Sequence, residues 1–179
     1  MMSSLKRKSI LMVIAYKNFR DEEYFKTRQV FENAGAEIKV ASDKKGEATG
    51  ADGNTAEVDV LIKDVGVKDY DAIVFIGGLG ALTHLDNKDS YNLAKETIAD
   101  NKILAAICIS PVILARAGVL KGKKATVWTS PMDKSAIKIL EQNGAEFKDD
   151  LAVIDGTIIT GNGPGASEEF AKKVIEVIA

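Results

Sequence analysis

Cys108 is the one cysteine in a chain of 179 residues, and its surroundings read Ala105-Ala106-Ile107-Cys108-Ile109-Ser110-Pro111. The apolar run Ile103 to Ile107 suits a buried strand, whereas Pro111 cannot continue a strand and fits the first turn of a helix. Cys108 is therefore placed at the bend itself, where an elbow holds its nucleophile. A helix start offers unpaired amides and a positive dipole end, and both are expected to lower the thiol pKa from ~8.5 toward neutrality or below. The Ile109 amide would face an anion forming beside the sulfur. Gly77-Gly78 would let a second backbone approach and supply another amide for an oxyanion hole. Free cysteine is often simply a buried small hydrophobe. The elbow position favours a reactive thiol here.

Other candidates are weaker when read from the residues alone. Glu23 stands with Asp21 and Glu22 in the first turn of a predicted helix, where carboxylates complement the dipole. His84, the only histidine, follows the glycine loop and reads as a solvated group near the crevice edge. Trp128 reads as core, though its position keeps it among the pocket candidates with Gly77, Ser110 and His84. One Cys and one His leave no protein-built zinc site, which needs three or four ligands, and no cofactor is expected. Gly161-Asn162-Gly163-Pro164-Gly165-Ala166 matches a dinucleotide fingerprint, but no further strand and acidic residue follow, so it reads as a turn into a helix. Gly118-Val119-Leu120-Lys121-Gly122-Lys123 is one residue short of a phosphate loop and lacks the following Ser/Thr.

The elements that must carry these residues alternate strand with helix. Ile10 to Ala15 is predicted as a first buried strand, 21–34 as a helix stopped by Gly35, and Glu37 to Ala41 as the next strand. Gly46 to Asn54 reads as turns, followed by a short strand over Val58 to Ile62. Ala72 to Ile76 runs into Gly77-Gly78-Leu79-Gly80. A helix over 88–99 precedes the Ile103 strand, and a helix from the elbow ends near Ala117. A strand near Ala125 to Trp128, a helix over 132–142, a hairpin turning at Asp155-Gly156 and a helix over 167–178 complete the order. Apolar, non-alternating strands separated by helices predict a mostly parallel sheet with helices on both faces, and a single domain over 1–179. Ligands of such sheets bind at the carboxyl ends of the strands. The loops at Lys17 to Glu23, Gly77 to Ala81 and Cys108 to Pro111 converge on that edge.

Composition narrows the partners. A net charge of −2 provides no basic field for phosphate backbones, so nucleic acid is not expected. Lys6-Arg7-Lys8 before Ile10 to Ala15 imitates a signal peptide, but the apolar run is short and no cleavage site follows. No stretch approaches the ~20 apolar residues of a membrane span. A cytoplasmic protein is expected.

Taken together, these motifs resemble the ThiJ/PfpI family. The resemblance rests on Ala-Ile-Cys-x-x-Pro after a strand, Phe19-x-x-x-Glu23 with Ala34-Gly35, and Asp71-Ala72-Ile73-Val74-Phe75-Ile76-Gly77-Gly78. Ala117 to Lys123, Asp155-Gly156 and the Gly163-Pro164-Gly165 turn add to it. It implies a flavodoxin-like three-layer sandwich related to class I glutamine amidotransferases, with Cys108 as the reactive cysteine and Glu23 as its partner. In that arrangement the glutamate is protonated and hydrogen-bonds the sulfur, favouring a thiolate or, after oxidation, a sulfinate. The resemblance also implies a homodimer or higher homo-oligomer.

The chain departs from the peptidase-like members. Ile109 stands where they have histidine after the cysteine, Ser110 replaces the usual glycine, and Leu79 to Leu85 holds no glutamate. Trp128 occupies the downstream aromatic or histidine position. Amide hydrolysis needs a base that can protonate a leaving amine, so an intracellular peptidase ranks third. The preferred expectation is a cysteine-dependent, glyoxalase- or deglycase-like enzyme acting on small reactive carbonyls. Cys108 would be its nucleophile, Glu23 its proton partner, and Gly78 and Ile109 its oxyanion donors. The second is a non-enzymatic stress-response protein that senses oxidants through Cys108.

Overall fold

The computed structural model describes residues 4–179, so residues 1–3 of the expected domain lie outside the described residues. The chain runs β1 (Ser9–Val13), β2 (Lys17–Phe19), α1 (Asp21–Asn33), β3 (Glu37–Ser42), β4 (Gly46–Gly50), β5 (Thr55–Val58), β6 (Val60–Leu61), β7 (Ala72–Phe75) and α2 (Ala81–His84). It continues α3 (Lys88–Ala99), β8 (Ile103–Ile107), α4 (Pro111–Arg116), β9 (Lys124–Ala125), α5 (Ser135–Gln142), β10 (Glu146–Phe147), β11 (Ala152–Asp155), β12 (Ile158–Gly161) and α6 (Ser167–Ile178).

Seven strands form the central sheet in the order β11-β12-β8-β7-β1-β3-β6. All neighbours are parallel except the β11–β12 hairpin. The inner five, β3-β1-β7-β8-β12, follow the 2-1-3-4-5 order of flavodoxin-like sheets. Helices α1 and α6 pack together against one face, and α3 and α4 lie against β7 and β8, with α5 against α4. The fold is the expected three-layer α/β sandwich. Every residue of β7 and β8 is buried, which is why these strands read as unbroken apolar runs with no period of two. Among the described residues no helix is long and apolar enough to cross a membrane.

Three local expectations are corrected. Residues 46–50 are not turns: β4 pairs with β5, placing Gly46 against Val58 and Ala48 against Ala56, and β2 adds a third strand. Flanking glycines hid the alternation that buries Ala48. The strand predicted through Trp128 stops at Ala125. Beyond it the Thr126 amide donates to Thr160 Oγ1 at 2.9 Å and the Trp128 amide to the Cys108 carbonyl at 2.8 Å, so no ladder continues. The helix predicted from 132 begins at Ser135, whose amide donates to the Asp133 carboxylate at 2.9 Å after a local turn.

Candidate active site

β8 delivers Cys108 to the carboxyl edge of the sheet, and Pro111 begins α4 three residues later. Between them Cys108 adopts φ 63°, a left-handed conformation that costs an L-residue about 1–2 kcal/mol. The Cys108 amide donates to the Gly161 carbonyl at 2.9 Å, tying the bend to the end of β12. Ser110, fully buried, donates its hydroxyl to the Ile76 carbonyl at 2.8 Å and locks the elbow to β7. A strained residue held from both neighbouring strands is the mark of a positioned nucleophile.

Gly77 and Gly78 fit the space between that elbow and the segment before α1. A Cβ on Gly77 would stand 2.6 Å from Cys108 Cβ and 2.9 Å from Glu23 Oε2. Gly78 has φ +116°, and a side chain there would run into the backbone of Asn18 to Arg20. Only glycine permits this approach. The amides of Gly78 and Ile109 both act to lower the Cys108 thiol pKa, and neither donates to another backbone carbonyl among the described residues.

Glu23 comes from the first turn of α1 and is fully buried. Its Oε2 accepts from the Gly77 amide at 3.0 Å, while Oε1 has no hydrogen-bond partner of ordinary geometry. Burial raises the carboxyl from 4.5 to about 7, against the lowering effects of Cys108, the Gly77 amide and the Arg20 charge. The thiol beside it is also pushed up, first by burial and then by the charge and hydrogen bonding of Glu23, while the Ile109 and Gly78 amides oppose the rise. The expected lowering of the thiol pKa is thus outweighed. The helix amides act as foreseen, but burial, and after it the neighbouring Glu23 carboxyl, acts more strongly. The two groups titrate as one pair.

The pair opens into a cleft of about 400 Å³. Leu79, Leu82, Ile109 and Trp128 give it apolar walls, with Ala51 and Pro164 at its edges and Arg20 as its one cationic residue. Three expected pocket residues do not line it. Gly77 gives its amide to Glu23 Oε2 at 3.0 Å and leaves the lining to Gly78. Ser110 is sealed beneath the elbow, and His84 faces Asp43, with Nδ1 at 2.7 Å from Oδ2. The sequence reading passed over Arg20, Ala51, Leu79, Leu82 and Pro164. Ala51 owes its place to Asp21, whose carboxylate accepts from the amides of Asp52 and Asn54 at 2.9 and 3.1 Å. The Gly163-Pro164 turn, read only as a helix entry, carries the cleft's far edge. Among the described residues no three His, Cys, Asp or Glu side chains cluster as a metal site.

A strained cysteine facing a buried glutamate at the edge of a 2-1-3-4-5 sheet invites comparison with known proteins. An uncharacterised protein of Methanocaldococcus jannaschii is 45% identical over 176 residues, covering 98% of this chain and 84% of its own. A Thermococcus kodakarensis protein named as a deglycase is 29% identical over 168 residues, 94% of this chain and 98% of its own. Among solved structures, the ThiJ/PfpI domain protein of Brachyspira murdochii superposes with a TM-score of 0.91 at 35% identity, over 97% of each chain. The DJ-1/PfpI family model matches residues 8–177. With the motifs, the sheet order and nearly the full length in agreement, the chain belongs to the DJ-1/PfpI family.

Proposed function

We propose that this protein is a cysteine-dependent enzyme acting on small reactive carbonyls, in the manner of a glyoxalase or deglycase. The observation that carries the reading is the strained Cys108 set beside Glu23, whose carboxyl titrates at about 7. A general base works best when its pKa lies near the working pH. Because the resting thiol is held protonated, reactivity comes from proton transfer during attack and not from a standing thiolate. Glu23 takes the thiol proton as Sγ bonds to the aldehyde carbon. The carbonyl π pair moves to oxygen, which sits against the Gly78 and Ile109 amides and then receives the same proton. The product is a hemithioacetal. On a 1,2-dicarbonyl, Glu23 can next carry the C–H proton to the neighbouring carbonyl oxygen, giving an ene-diol. A proton then returns to that neighbouring carbon while the hydroxyl on the sulfur-bearing carbon loses its own, leaving a thioester that water hydrolyses to a 2-hydroxy acid and the free thiol. One carbon is oxidised, its neighbour is reduced, and the net addition is one water. No amine is expelled, so the lack of a histidine in the cleft is no obstacle. The deglycase name of a relative supports the same chemistry.

A second reading draws on Glu23 Oε1, buried without a partner. Protonated, it could donate to an oxygen of a Cys108 sulfinate formed by two equivalents of a hydroperoxide. One experiment serves both. Alkylation of Cys108 by iodoacetamide should accelerate as pH rises through about 7, and Glu23→Gln should slow it at least ~10-fold at pH 7.5 by removing the base. Superimposable profiles would remove Glu23 from the chemistry. Consumption of glyoxal that disappears in Cys108→Ala supports the enzyme. A protein inert to glyoxal that gains two oxygens with peroxide is the sensor instead.

A further inference from the structure

Arg20 is fixed at the cleft, yet its charge has almost no employment within the protein. Its backbone is committed: the amide donates to the Gly77 carbonyl at 2.9 Å, and the carbonyl accepts from the Tyr24 amide at 3.0 Å. Its guanidinium is not. Nε is buried with no hydrogen-bond partner. Glu22, the one carboxylate in ion-pair range of the fork, stands 3.9 Å from Nη2 and is already held by Lys26 at 2.6 Å, while Glu23 feels the Arg20 charge without pairing to it. Nearby Asp21 is occupied by the Asp52 and Asn54 amides. Only Nε is buried in this way; the side chain as a whole is 42% exposed, so the fork can be reached from the cleft. A buried donor without an acceptor calls for an explanation, and a bound acceptor is one.

The surroundings say what would fit. Guanidinium presents a planar fork that matches a carboxylate with two parallel hydrogen bonds. The apolar walls lower the local dielectric and strengthen that pairing. The other titratable residues of the cleft are Glu23 and Cys108; the thiol is held protonated, and below about pH 7 Glu23 is protonated too, so that neither then repels an anion.

We infer that Arg20 is an anion-recognition residue, and that the carbonyl compounds brought to Cys108 are 1,2-dicarbonyls carrying a separate carboxylate, as in 4,5-dioxopentanoate. This rests on the carbonyl reading for its substrate, but the anion site stands on Arg20 alone. Occupancy has a consequence for the chemistry next door. The Arg20 charge helps hold the Glu23 carboxyl down, so pairing it with a carboxylate makes Glu23 a stronger base as substrate arrives.

Iodoacetate and iodoacetamide differ in charge and scarcely in size, and both report on the sulfur without any carbonyl step. In 0.15 M salt, the ratio of Cys108 labelling by iodoacetate to that by iodoacetamide should exceed the ratio for a free small thiol by ~10-fold or more. Arg20→Met should bring it down to the free-thiol ratio. Arg20→Lys, which keeps the charge and loses the fork, should fall between. Lys68→Met, removing the same charge outside the cleft, should match the wild type. A wild-type ratio equal to that of free thiol, or one that survives Arg20→Met, overturns the inference. Turnover of 4,5-dioxopentanoate against the neutral glyoxal, measured on the same proteins, separates the two proposals. Anion-selective labelling with neither carbonyl consumed sinks the enzymatic reading and leaves the anion site standing.

Discussion

At the residue scale, Cys108 and Glu23 are each held where an isolated side chain would not choose to be. The cysteine accepts a left-handed backbone so that its sulfur can face two amides. The carboxyl accepts burial so that it can sit beside the sulfur. This second strain reaches into stability. In the unfolded chain Glu23 titrates near 4.5, and in the folded chain near 7, so the native state binds more protons between those values. The favourable contribution of the protonated carboxyl is therefore complete below 4.5 and lost as pH rises through 7. At about 1.4 kcal/mol per pH unit the loss is at most roughly 3 kcal/mol. Urea denaturation of Glu23→Gln and wild type at pH 4.5 and 8 should show the variant gaining by up to that amount at the higher pH. Comparison with the variant cancels groups of opposite sign, such as Asp21, whose carboxyl is lowered, against its own desolvation, by the Asp52 and Asn54 amides. A gap between the two proteins that stays constant with pH would contradict the assignment.

At the scale of elements, the site is a meeting of three turns, and the tightest of them is the glycine loop after β7. Its Gly80 amide donates to the Asn18 carbonyl at 3.0 Å, and a Cβ on Gly80 would fall on the Lys17 carbonyl oxygen. A backbone oxygen cannot swing aside as a flexible side chain can. Gly80→Ala should therefore cost about 2 kcal/mol or more and should slow Cys108 labelling, because pushing β2 away displaces the Gly78 amide. Thermal denaturation and the iodoacetamide rate test this together. A variant within 0.5 kcal/mol of wild type, a threshold for roughly neutral change, would mean the loop is not clamped. The β4–β5 hairpin is held to the same segment by Asp21, and a Cβ on Gly50 would collide with that carboxylate. In this way a residue that reads as a dipole partner in the sequence also shapes one wall of the cleft.

Across the whole molecule, stability and chemistry are separated by the sheet. The sandwiched core lies beneath the strands' faces, while the cleft lies at their carboxyl ends. Phe170 on α6 is fully buried and packs over β12, where a Cβ on Gly161 would come within 3.0 Å of its ring. Phe170→Ala should lower stability by about 3–5 kcal/mol through the cavity it leaves. Under native conditions the rise in Cys108 labelling through about pH 7 should persist, because the elbow is anchored from Ile76 and Gly161 backbone atoms. Loss of that pH response in a protein that is still folded would show that core and site are not independent.

The amino-acid sequence by itself determined the layered architecture and the elbow. Both rest on local signals: unbroken apolar runs for β1, β7 and β8, glycines that admit close approach, and Pro111 starting a helix directly after Cys108. It also reached Glu23 as the partner, though only through resemblance to a family, since a first-turn glutamate has an ordinary role of its own. The tertiary structure alone decided the rest. The direction of the thiol's titration depends on the distance between two groups 85 residues apart and on how dry the space between them is, neither of which is written in neighbouring residues. Arg20 carries no signal in its neighbouring residues; only the folded chain buries its Nε without an acceptor. Burial and long-range pairing are properties of the packed chain, and they turn a plausible cysteine into a cleft with a specified chemistry.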